Sequence, residues 1–413
     1  MVLDNNSIVF ITPYSYLALP YYYAILPFIK KYQTIYLHLR DPYISSESIN
    51  VLKLKKDILN HFDSFYDFPS KEYESLRDST KLTRISQFLT LFKTAQTVKK
   101  YKTIIENFLD DKNPKAVISS SDLAINDKIT SIWCKKNNVP FFIIQPAFLE
   151  GVVAKSSRLK VTFPRLMFYY LFNKFLGAPI FLRRNIYGNE APWGKLLLWG
   201  DYFKLDSQRE NTFIVGNPVF DRFFKEFSPD RSRKNQIVFC TQEIDKIFGK
   251  NLFDKVNNII LHAIKELPEL TFYIKVHPRE NITKYENIFV QHDYPNLRVV
   301  KDYDLHQLFK ESDLQISVMS FTSVEAAAIG IPVITIAFPE FYKSNIDHFR
   351  GEIDIRVTDI QEITDAISYA LSSEYWEQFL QKRKNYFTKM MHSMDGNSSE
   401  RAANTILSLI SNN

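Results

Sequence analysis

Short apolar runs recur along this sequence, and each is followed by a stretch whose apolar spacing is that of a helix. The first run, residues 7–12, stops at Pro13. Proline marks the end of a strand because it cannot donate to the hydrogen-bond ladder of a sheet. Buried strands that alternate with helices are typical of a parallel sheet covered on both faces. The sequence therefore predicts an α/β fold.

The alternation of strands and helices occurs twice. It runs through the first half of the chain, gives way to a charged, linker-like stretch at residues 225–235, and restarts at Gln236. At 413 residues the chain is also longer than one core usually serves. We therefore expect two doubly wound α/β domains that face each other across a cleft. Their predicted bounds are 1–228 and 229–390, followed by a capped helix within residues 391–413, for which packing on the first domain is one option.

Two parts of the first domain depart from this alternation. Residues 49–109 are polar, with Tyr and Phe at three- to four-residue spacing, which predicts helices and a helical insertion. Residues 151–189 contain seven Lys or Arg residues and no acidic residue, around an aromatic centre. This basic aromatic segment has three interpretations: a helix packed on the domain, an in-plane membrane contact, or a lid over an acidic or lipid-linked acceptor. Under the third interpretation, Arg165, Arg183 and Arg184 are the predicted acceptor contacts.

Composition limits the compartment and the partners. The net charge of +6 permits attraction to phosphates, acidic glycans or anionic lipid. No nucleic-acid-binding motif accompanies this charge, so we expect no nucleic-acid partner. Cys134 and Cys240 lie inside apolar runs, which predicts buried free thiols in a reducing compartment. The N-terminus lacks the basic region of a secretory signal, and no apolar segment reaches the ~18 residues of a membrane span. We expect a cytoplasmic protein, with peripheral contact at the inner membrane as an additional option.

His277 follows the apolar run 272–276 and precedes Pro278, which predicts a histidine at the carboxyl end of a strand. Ligands of open α/β sheets bind outside these strand ends. An imidazole there can donate a hydrogen bond to a phosphate oxygen, and Lys275 and Arg279 raise the local positive potential. A lone histidine is more often structural, but this position favours a functional interpretation.

A second cluster of polar residues follows the apolar run 314–318. Ser320, Thr322 and Ser323 precede a small-residue helix, whose N-terminal amides and positive dipole end suit a phosphate. Thr322 and Glu325 also match a capping box, in which a hydroxyl and a carboxylate satisfy the first amides of a helix. That alternative explains Glu325 without a ligand, whereas Ser320 and Ser323 remain predicted ligand contacts.

Other chemistries have weaker signals. Asp302-Tyr-Asp304 matches a pattern with which some transferases hold a metal, but Asp304 is also placed to cap a helix at Leu305, which is the favoured interpretation. The sequence contains no paired-histidine zinc spacing, no phosphate-binding P-loop and no glycine-rich dinucleotide fingerprint. Metal hydrolases, P-loop enzymes and ordinary dehydrogenases therefore lose support.

A transfer reaction also needs a general base near the acceptor. Asp122 is the first candidate for a catalytic base, because it stands among serines at the carboxyl end of a predicted strand. Asp127 and Glu150 are the alternative bases. Acidic residues at helix starts are also routine caps, so a structural interpretation stays open for all three.

Several segments together resemble bacterial GT-B glycosyltransferases of capsule and surface-polysaccharide synthesis. They are Val215-Gly-Asn-Pro-Val-Phe-Asp221, Lys275-Val-His-Pro-Arg279, residues 320–332 and Asp395-Gly-Asn-Ser-Ser-Glu-Arg401. The His-Pro and serine motifs are similar to those of sialyl-, polysialyl- and Kdo transferases, which use CMP-activated sugars. The resemblance is specific over residues 216–401 and only general before them.

This resemblance implies an inverting glycosyltransferase of two Rossmann-like halves that needs no metal or other cofactor. Its partners would be a nucleotide-sugar donor, with a CMP-sugar favoured, and a glycan or lipid-linked glycan acceptor. His277 would contact the donor phosphate and help the nucleotide leave. The base of such enzymes is an acid of the N-terminal domain, often in an acid-acid-Gly motif, whereas this chain has Ser121-Asp-Leu-Ala124. The predicted donor-binding residues are Lys275, His277, Arg279, Ser320, Thr322, Ser323 and Glu325.

Three alternatives stay open. A CDP-glycerol or CDP-ribitol phosphotransferase of teichoic-acid-like polymer synthesis shares the fold and comparable motifs. A nucleotide-sugar epimerase shares the architecture, although the sequence offers no clear set of acidic residues and histidines for that reaction. A non-catalytic module would instead dock on a membrane assembly through residues 165–184.

Overall fold

The computed structural model of the protein consists of two compact units. Unit 1 comprises Met1–Val219 together with Asn397–Asn413, and unit 2 comprises Phe220–Gly396. Each unit contains one parallel β-sheet with helices packed around it. The residues that the structure describes are 6–12, 15–39, 51–68, 84–146, 174, 188, 191–204, 210–229, 232–290, 293–318, 320–342, 349 and 351–411.

The sheet of unit 1 has seven strands in the order β3-β2-β1-β4-β5-β6-β7, with every neighbouring pair parallel. Its central strands are buried on both faces, as the continuous apolar runs predict, and Ile8 to Ile11 have no exposed surface. The strands are β1 Ser7–Thr12, β2 Gln33–Leu39, β3 Ser64–Phe68, β4 Ala116–Ser119, β5 Phe141–Ile144, β6 Lys195–Leu198 and β7 Thr212–Ile214. The α-helices described before β6 are α1 Ser15–Ile25, α2 Val51–Leu59, α3 Arg84–Lys112 and α4 Ile125–Lys136.

The prediction of helices alone over residues 49–109 is wrong in one place, because β3 lies between α2 and α3. This strand pairs in parallel with β2 at the edge of the sheet, with Asp67 opposite His38. An edge strand is covered incompletely and needs no continuous apolar run, so Ser64-Phe-Tyr-Asp-Phe reads equally well as part of a polar helix.

The sheet of unit 2 has six parallel strands in the order β10-β9-β8-β11-β12-β13. Five of them agree with the predicted apolar runs, and the three-residue edge strand β13 escapes sequence analysis. The strands are β8 Gln236–Cys240, β9 Thr271–Lys275, β10 Leu297–Val300, β11 Leu314–Ser317, β12 Val333–Ile336 and β13 Ile355–Val357. The helices are α5 Asp221–Glu226, α6 Ile244–Phe248, α7 Lys250–Glu266, α8 Ile282–Phe289, α9 Leu305–Lys310, α10 Thr322–Ile329, α11 Pro339–Tyr342, α12 Ile363–Ala370 and α13 Ser373–Met391.

Both sheets confirm the doubly wound α/β class. In unit 2, β9 and β10 are added on one side of β8, and β11, β12 and β13 are added on the other side. The strand order therefore reverses between β8 and β11, which are neighbours in the sheet although two strands separate them in sequence. Such a reversal leaves a crevice at the carboxyl ends of the two strands, because the crossover helices leave to opposite faces. The expected position of a ligand in unit 2 is therefore beside the carboxyl ends of β8 and β11.

The C-terminal helix, α14 Ser398–Ser411, belongs to unit 1 and contacts α1. Arg401 ties it to the segment after β7, because its Nε donates to the Val215 carbonyl oxygen at 3.1 Å. Gly216 has a φ of +84°, and a Cβ there would lie 2.3 Å from the Ser398 hydroxyl oxygen. Glycine is therefore required where the helix approaches the chain. Among the described residues, no helix combines the length and the apolarity needed to cross a membrane.

The end of α10 is fixed by two tight contacts. Gly330 follows the helix in the left-handed conformation, with a φ of +99°, and its backbone approaches the Phe227 ring. Arg383 is buried, donates to the carbonyl oxygens of Ala327 and Ala328, and stacks with its guanidinium carbon 3.7 Å from the centroid of the Phe227 ring. No carboxylate of a described residue pairs with it. Burial lowers the pKa of Arg383 to about 9, so the guanidinium stays charged at neutral pH.

We expect Gly330→Ala to lower the free energy of unfolding by about 2–4 kcal/mol, because left-handed strain adds to overpacking. A Cβ at this position would lie 2.6 Å from the Phe227 ring. The control is Gly351→Ala, where φ is +74° but the nearest atom would be 3.4 Å away. This change should cost about 1 kcal/mol. Urea unfolding followed by circular dichroism measures both, and equal losses would contradict the role of the Phe227 contact.

Candidate functional site

His277 lies directly beyond β9, where the sequence predicts it, and its side chain is partly exposed. The backbone N–H of Arg279 donates to His277 Nδ1 at 3.2 Å. Because Nδ1 accepts this bond, the neutral ring carries its proton on Nε2. No described residue forms a hydrogen bond with Nε2. The imidazole therefore presents an N–H donor at the carboxyl edge of the sheet.

Charged side chains around His277 are already paired with each other. Arg279 Nε lies 3.3 Å from Glu243 Oε2, and Lys246 also pairs with Glu243. Lys275 donates to the carbonyl oxygen of Lys301, and burial lowers the pKa of its ammonium. Burial also lowers the pKa of His277, and the charge of Arg279 adds to this effect, while Glu280 and Glu243 oppose it. The neutral, Nε2-protonated imidazole is accordingly the form that prevails at pH 7.

The hydroxyl residues before α10 form a connected network, but not the capping box that the sequence suggests. The residue before the helix, Phe321, has helical backbone angles and no side-chain cap. Thr322 Oγ1 instead accepts from Gln315 Nε2 at 3.0 Å and donates to Ser320 Oγ at 2.7 Å. Ser320 and Thr322 are partly exposed, whereas Ser323 is buried with its hydroxyl bonded to Ser317. The structure thus leaves Ser320 and Thr322 as the accessible hydroxyls.

Glu325 lies in the first turn of α10 and, without the capping box, has no role as a cap. No described residue donates a hydrogen bond to its carboxylate. Burial raises the pKa of Glu325 to about 7, and the positive charge of Arg222 only partly offsets this effect. A carboxyl that is close to half protonated at neutral pH can both donate and accept a hydrogen bond, which suits a sugar or ribose hydroxyl.

The pH dependence of stability should report the environment of Glu325. A raised pKa in the folded state means that this carboxyl stabilises the fold below pH 4.5 and loses that contribution as pH rises through about 7. We expect the free energy of unfolding of the wild type to fall relative to Glu325→Gln by on the order of 2 kcal/mol between pH 5 and pH 8. Urea titrations of both proteins at the two pH values measure it; parallel pH profiles would contradict the burial of this group.

Parallel pairing brings these residues to one edge of unit 2. His277 follows β9, Thr241 follows β8, and Ser320 lies shortly after β11, and these strands are adjacent in the order β9-β8-β11. Neighbouring strands are about 4.8 Å apart, so the outer two end roughly 10 Å from each other. A separation of this size leaves room for a phosphate group and the first atom bonded to it on either side. The candidate site therefore combines an imidazole donor, two hydroxyls and a helix N-terminus at one edge of the sheet.

A pocket of about 330 Å³ lies elsewhere in unit 2, and its position argues against a role in the same site. Lys234, Asp313 and Ile331 line it, and each of them precedes a strand rather than following one. The pocket is therefore at the amino-terminal edge of the sheet. Its Lys310 ammonium is paired with Glu226 at 3.0 Å, so this charge is already neutralised.

In unit 1 the structure places the leading candidate for the general base in the interior. Asp122 has no exposed surface, and its two carboxylate oxygens accept from the backbone N–H groups of Gly188 and Ala191 at 2.9 and 3.2 Å. Asp127 is 1% exposed and accepts from the Ser119 hydroxyl at 2.9 Å. Asp122 therefore follows a strand as predicted, but it is buried and bonded to backbone amides of the chain before β6. Glu150, Arg165, Arg183 and Arg184 lie outside the described residues.

The contacts of Asp122 predict a structural effect. Asp122→Ala removes the acceptor of two buried amides and should lower the free energy of unfolding by about 2–3 kcal/mol. Asp122→Asn keeps the shape and one carbonyl oxygen, so its loss should be smaller. Urea unfolding followed by intrinsic tryptophan fluorescence measures both changes. Unchanged stability together with lost turnover would instead identify Asp122 as the base.

The two-aspartate pattern has the structural role that the sequence favours. Asp304 Oδ1 accepts from the Gln307 amide at 2.7 Å and caps α9, which confirms the helix-cap interpretation. Within the part of the chain that the structure describes, no three His, Cys, Asp or Glu residues are close enough to hold a metal ion. Cys134 and Cys240 are buried free thiols, as predicted.

Two groups of residues near the strand ends have no distinctive motif in the sequence. Thr241 and Glu280 contact the His277 segment, and their signal is only positional: one directly follows β8, and the other is three residues beyond His277. In unit 1, His38 Nδ1 lies 3.0 Å from Asp67 Oδ1 on neighbouring strands. Opposed polar residues near the ends of β2 and β3 could have indicated this pair only if β3 had been recognised.

Comparison with solved structures identifies the architecture. The chain is similar to the glycotransferase of kitacinnamycin, with a TM-score of 0.60 and 11% identity over 98% of this chain and 99% of that chain. The fold is GT-B. UDP-GlcNAc 2-epimerase from Neisseria meningitidis bound to UDP-GlcNAc gives a TM-score of 0.58 and 13% identity over 97% of this chain and 100% of that one. UGT2 of Phytolacca americana complexed with UDP-2fluoro-glucose and pterostilbene gives 0.57 and 9% identity over 98% and 99%.

These identities are low, so the likeness establishes the fold and leaves the reaction to be argued from the site. No protein-family model matches the sequence, and no curated protein matches it.

Proposed function

We propose that the protein is an inverting, metal-independent glycosyltransferase that moves a sugar from a nucleotide donor to a bacterial surface glycan or glycolipid. The observation that carries this proposal is the placement of His277. Its Nε2–H donor lies at the carboxyl end of β9, the same edge of the sheet at which the hydroxyls before α10 lie. The imidazole N–H and the Ser320 hydroxyl can both donate to the phosphate oxygens of a nucleotide.

The chemistry follows from that arrangement. The bond between the anomeric carbon and the phosphate oxygen breaks, and negative charge develops on that oxygen. A neutral imidazole with its proton on Nε2 donates a hydrogen bond to the departing phosphate, and the Ser320 hydroxyl, whose oxygen accepts from Thr322, adds a second donor. An acid of unit 1 takes the proton of the acceptor hydroxyl, which forms the new glycosidic bond with inversion. Of the three candidate bases, Asp122 and Asp127 are buried and hydrogen-bonded within unit 1. We therefore favour Glu150 as the base.

We favour a CMP-activated nonulosonic acid or Kdo as the donor, because the His-Pro and serine motifs resemble those of CMP-sugar transferases. The structural neighbours named above include proteins with UDP-sugars bound. A donor panel must therefore contain both nucleotides. Glu325 would take a ribose or sugar hydroxyl in either case.

A nucleotide-sugar epimerase is the second candidate, and a specific observation supports it. The chain aligns with UDP-GlcNAc 2-epimerase over nearly the full length of both proteins. An epimerase returns an isomerised sugar without needing an acceptor, whereas a transferase releases nucleotide in proportion to the glycan it extends.

The deciding experiment incubates the protein separately with CMP-sugars, CDP-glycerol and UDP-sugars, with and without bacterial glycan acceptors. Nucleotide release and sugar isomerisation are followed by chromatography. We expect acceptor-dependent release of CMP. Release of a nucleotide from CDP-glycerol would favour the phosphotransferase, isomerised UDP-GlcNAc would favour the epimerase, and no turnover with any donor would rule out the transferase.

With the active donor, His277→Ala should lower kcat by at least about 100-fold, because the donor to the leaving phosphate is lost. The fold should persist, since the ring is partly exposed. His262→Ala is the matched control: this histidine lies near the carboxyl end of α7, which runs back towards the opposite edge of the sheet. Both variants are compared by steady-state kinetics and thermal unfolding. Retained activity in His277→Ala would remove the central assignment.

A further inference from the structure

We propose that Thr241 and Glu280 are positioning residues that fix the orientation and the tautomer of His277, an inference that rests on the proposed function. Neither residue has a predicted role in the sequence. Both are buried at the carboxyl edge of the unit 2 sheet, 3% and 5% exposed, where they cannot themselves serve as an open binding surface. Their polar atoms nevertheless converge on the His277 segment.

Thr241 connects the backbone of His277 with the carboxylate of Glu280. Its Oγ1 accepts from the backbone N–H of His277 at 2.9 Å and donates to Glu280 Oε2 at 2.7 Å. A hydroxyl has one proton, and the carboxylate can only accept. The Thr241 proton must therefore point at Glu280, which turns an oxygen lone pair towards the His277 amide. The carboxylate thus determines how Thr241 holds the chain directly after β9.

Glu280 is held from several directions. Tyr285 donates from its hydroxyl to Glu280 Oε1 at 2.7 Å, and Lys284 Nζ lies 3.6 Å from the same oxygen. The Glu280 amide donates to the His277 carbonyl oxygen at 2.9 Å, and Lys301 Nζ donates to the Glu280 carbonyl oxygen at 2.6 Å. Glu280 therefore closes a turn with His277 through its backbone while its side chain braces Thr241.

The turn also sets the proton position on the imidazole. Closing it places the Arg279 N–H against His277 Nδ1, and this bond requires an unprotonated Nδ1. If the turn loosens, Nδ1 loses its donor and the ring can exchange tautomers, so Nε2–H is no longer always available to a leaving phosphate. Rotation of the imidazole by the same loosening would misalign the donor further.

A buried carboxylate is costly unless its hydrogen bonds compensate for lost hydration. A turn could be closed by backbone bonds alone, without this cost. Here the carboxylate accepts from the one hydroxyl that also contacts the His277 backbone. The two side chains therefore hold the backbone of His277, and through the turn they hold the Arg279 N–H that contacts the ring.

The first test compares Thr241→Val with Thr241→Ser. Valine matches the shape of threonine but has no hydroxyl, whereas serine retains both hydrogen bonds. We expect Thr241→Val to lower kcat by about 10- to 100-fold with the donor KM changed less than about threefold. Thr241→Ser should stay within about threefold of the wild type. Glu280→Gln can accept with one oxygen only and should lower kcat as Thr241→Val does. It replaces Thr241→Val in this test if Thr241→Val does not fold.

A structural control separates positioning from loss of stability. Tyr375→Phe removes a buried hydroxyl that donates to the Ile353 carbonyl oxygen at 3.0 Å in the same unit. We expect it to lower the stability of unit 2 while leaving kcat unchanged. An equal loss of kcat in Tyr375→Phe would assign the effects of Thr241→Val to general destabilisation and overturn the proposal.

The second test does not depend on turnover. Proteins with ¹⁵N-labelled histidine are examined by long-range ¹H–¹⁵N NMR, with the His277 signals assigned from their absence in His277→Gln. The wild type and Thr241→Ser should show His277 as the Nε2–H tautomer. Thr241→Val and Glu280→Gln should show a mixture, with the His262 signals unchanged. An unaltered His277 tautomer in both variants would overturn the proposal even if the enzyme is active.

The two measurements distinguish the possible failures. If no donor is turned over but the tautomer shifts in Thr241→Val, the proposed function fails and the positioning role stands. If donors are turned over and neither kcat nor the tautomer responds to Thr241→Val or Glu280→Gln, the positioning role fails alone.

Discussion

Parallel pairing of the strands in unit 2 is the constraint on which the candidate site depends. Because β8, β9 and β11 point the same way, the residues that follow them meet at one edge although they are distant in sequence. The apolar runs inside the strands stabilise this order through burial on both faces, and the polar residues lie where each run stops. The hydrogen bond from the Arg279 N–H to His277 Nδ1 then leaves the proton of the neutral ring on Nε2, where it can be donated.

Much of this arrangement could be predicted from the sequence, since strand ends are marked by local signals. Pro278 stops the run that contains β9, and the hydroxyls after Val318 follow the run that contains β11. Contacts between segments could not be predicted in the same way. The partnership of Thr241 with Glu280 depends on the register of β8 against β9, and β3 and β13 are short edge strands without a distinctive pattern. The helix cap at Asp304 was accessible to sequence because its acceptor and donor are three residues apart.

The acidic residues also show that contacts between distant segments cannot be predicted from local sequence. Asp122 has the sequence environment of a catalytic carboxylate, with serines at the end of a strand, but its oxygens are occupied by amides more than sixty residues further along the chain. Glu325 shows the converse. Its spacing matches a local cap, whereas the structure leaves it partly buried without that role, and burial raises its pKa. The environment of a carboxylate thus depends on contacts from residues that are distant in sequence, and local spacing does not reveal these contacts.

Arg383 has a consequence for the opposite end of α10. A helix by itself offers an anion two poles of opposite sign, whose fields cancel increasingly with distance. Here the guanidinium bonds to the last carbonyls of the helix and no carboxylate of a described residue pairs with it. The guanidinium therefore offsets the negative pole of the helix, so the positive pole at its N-terminus is cancelled less at a distance. An incoming phosphate would be attracted by this element before any hydrogen bond to Ser320 or Thr322 is within reach.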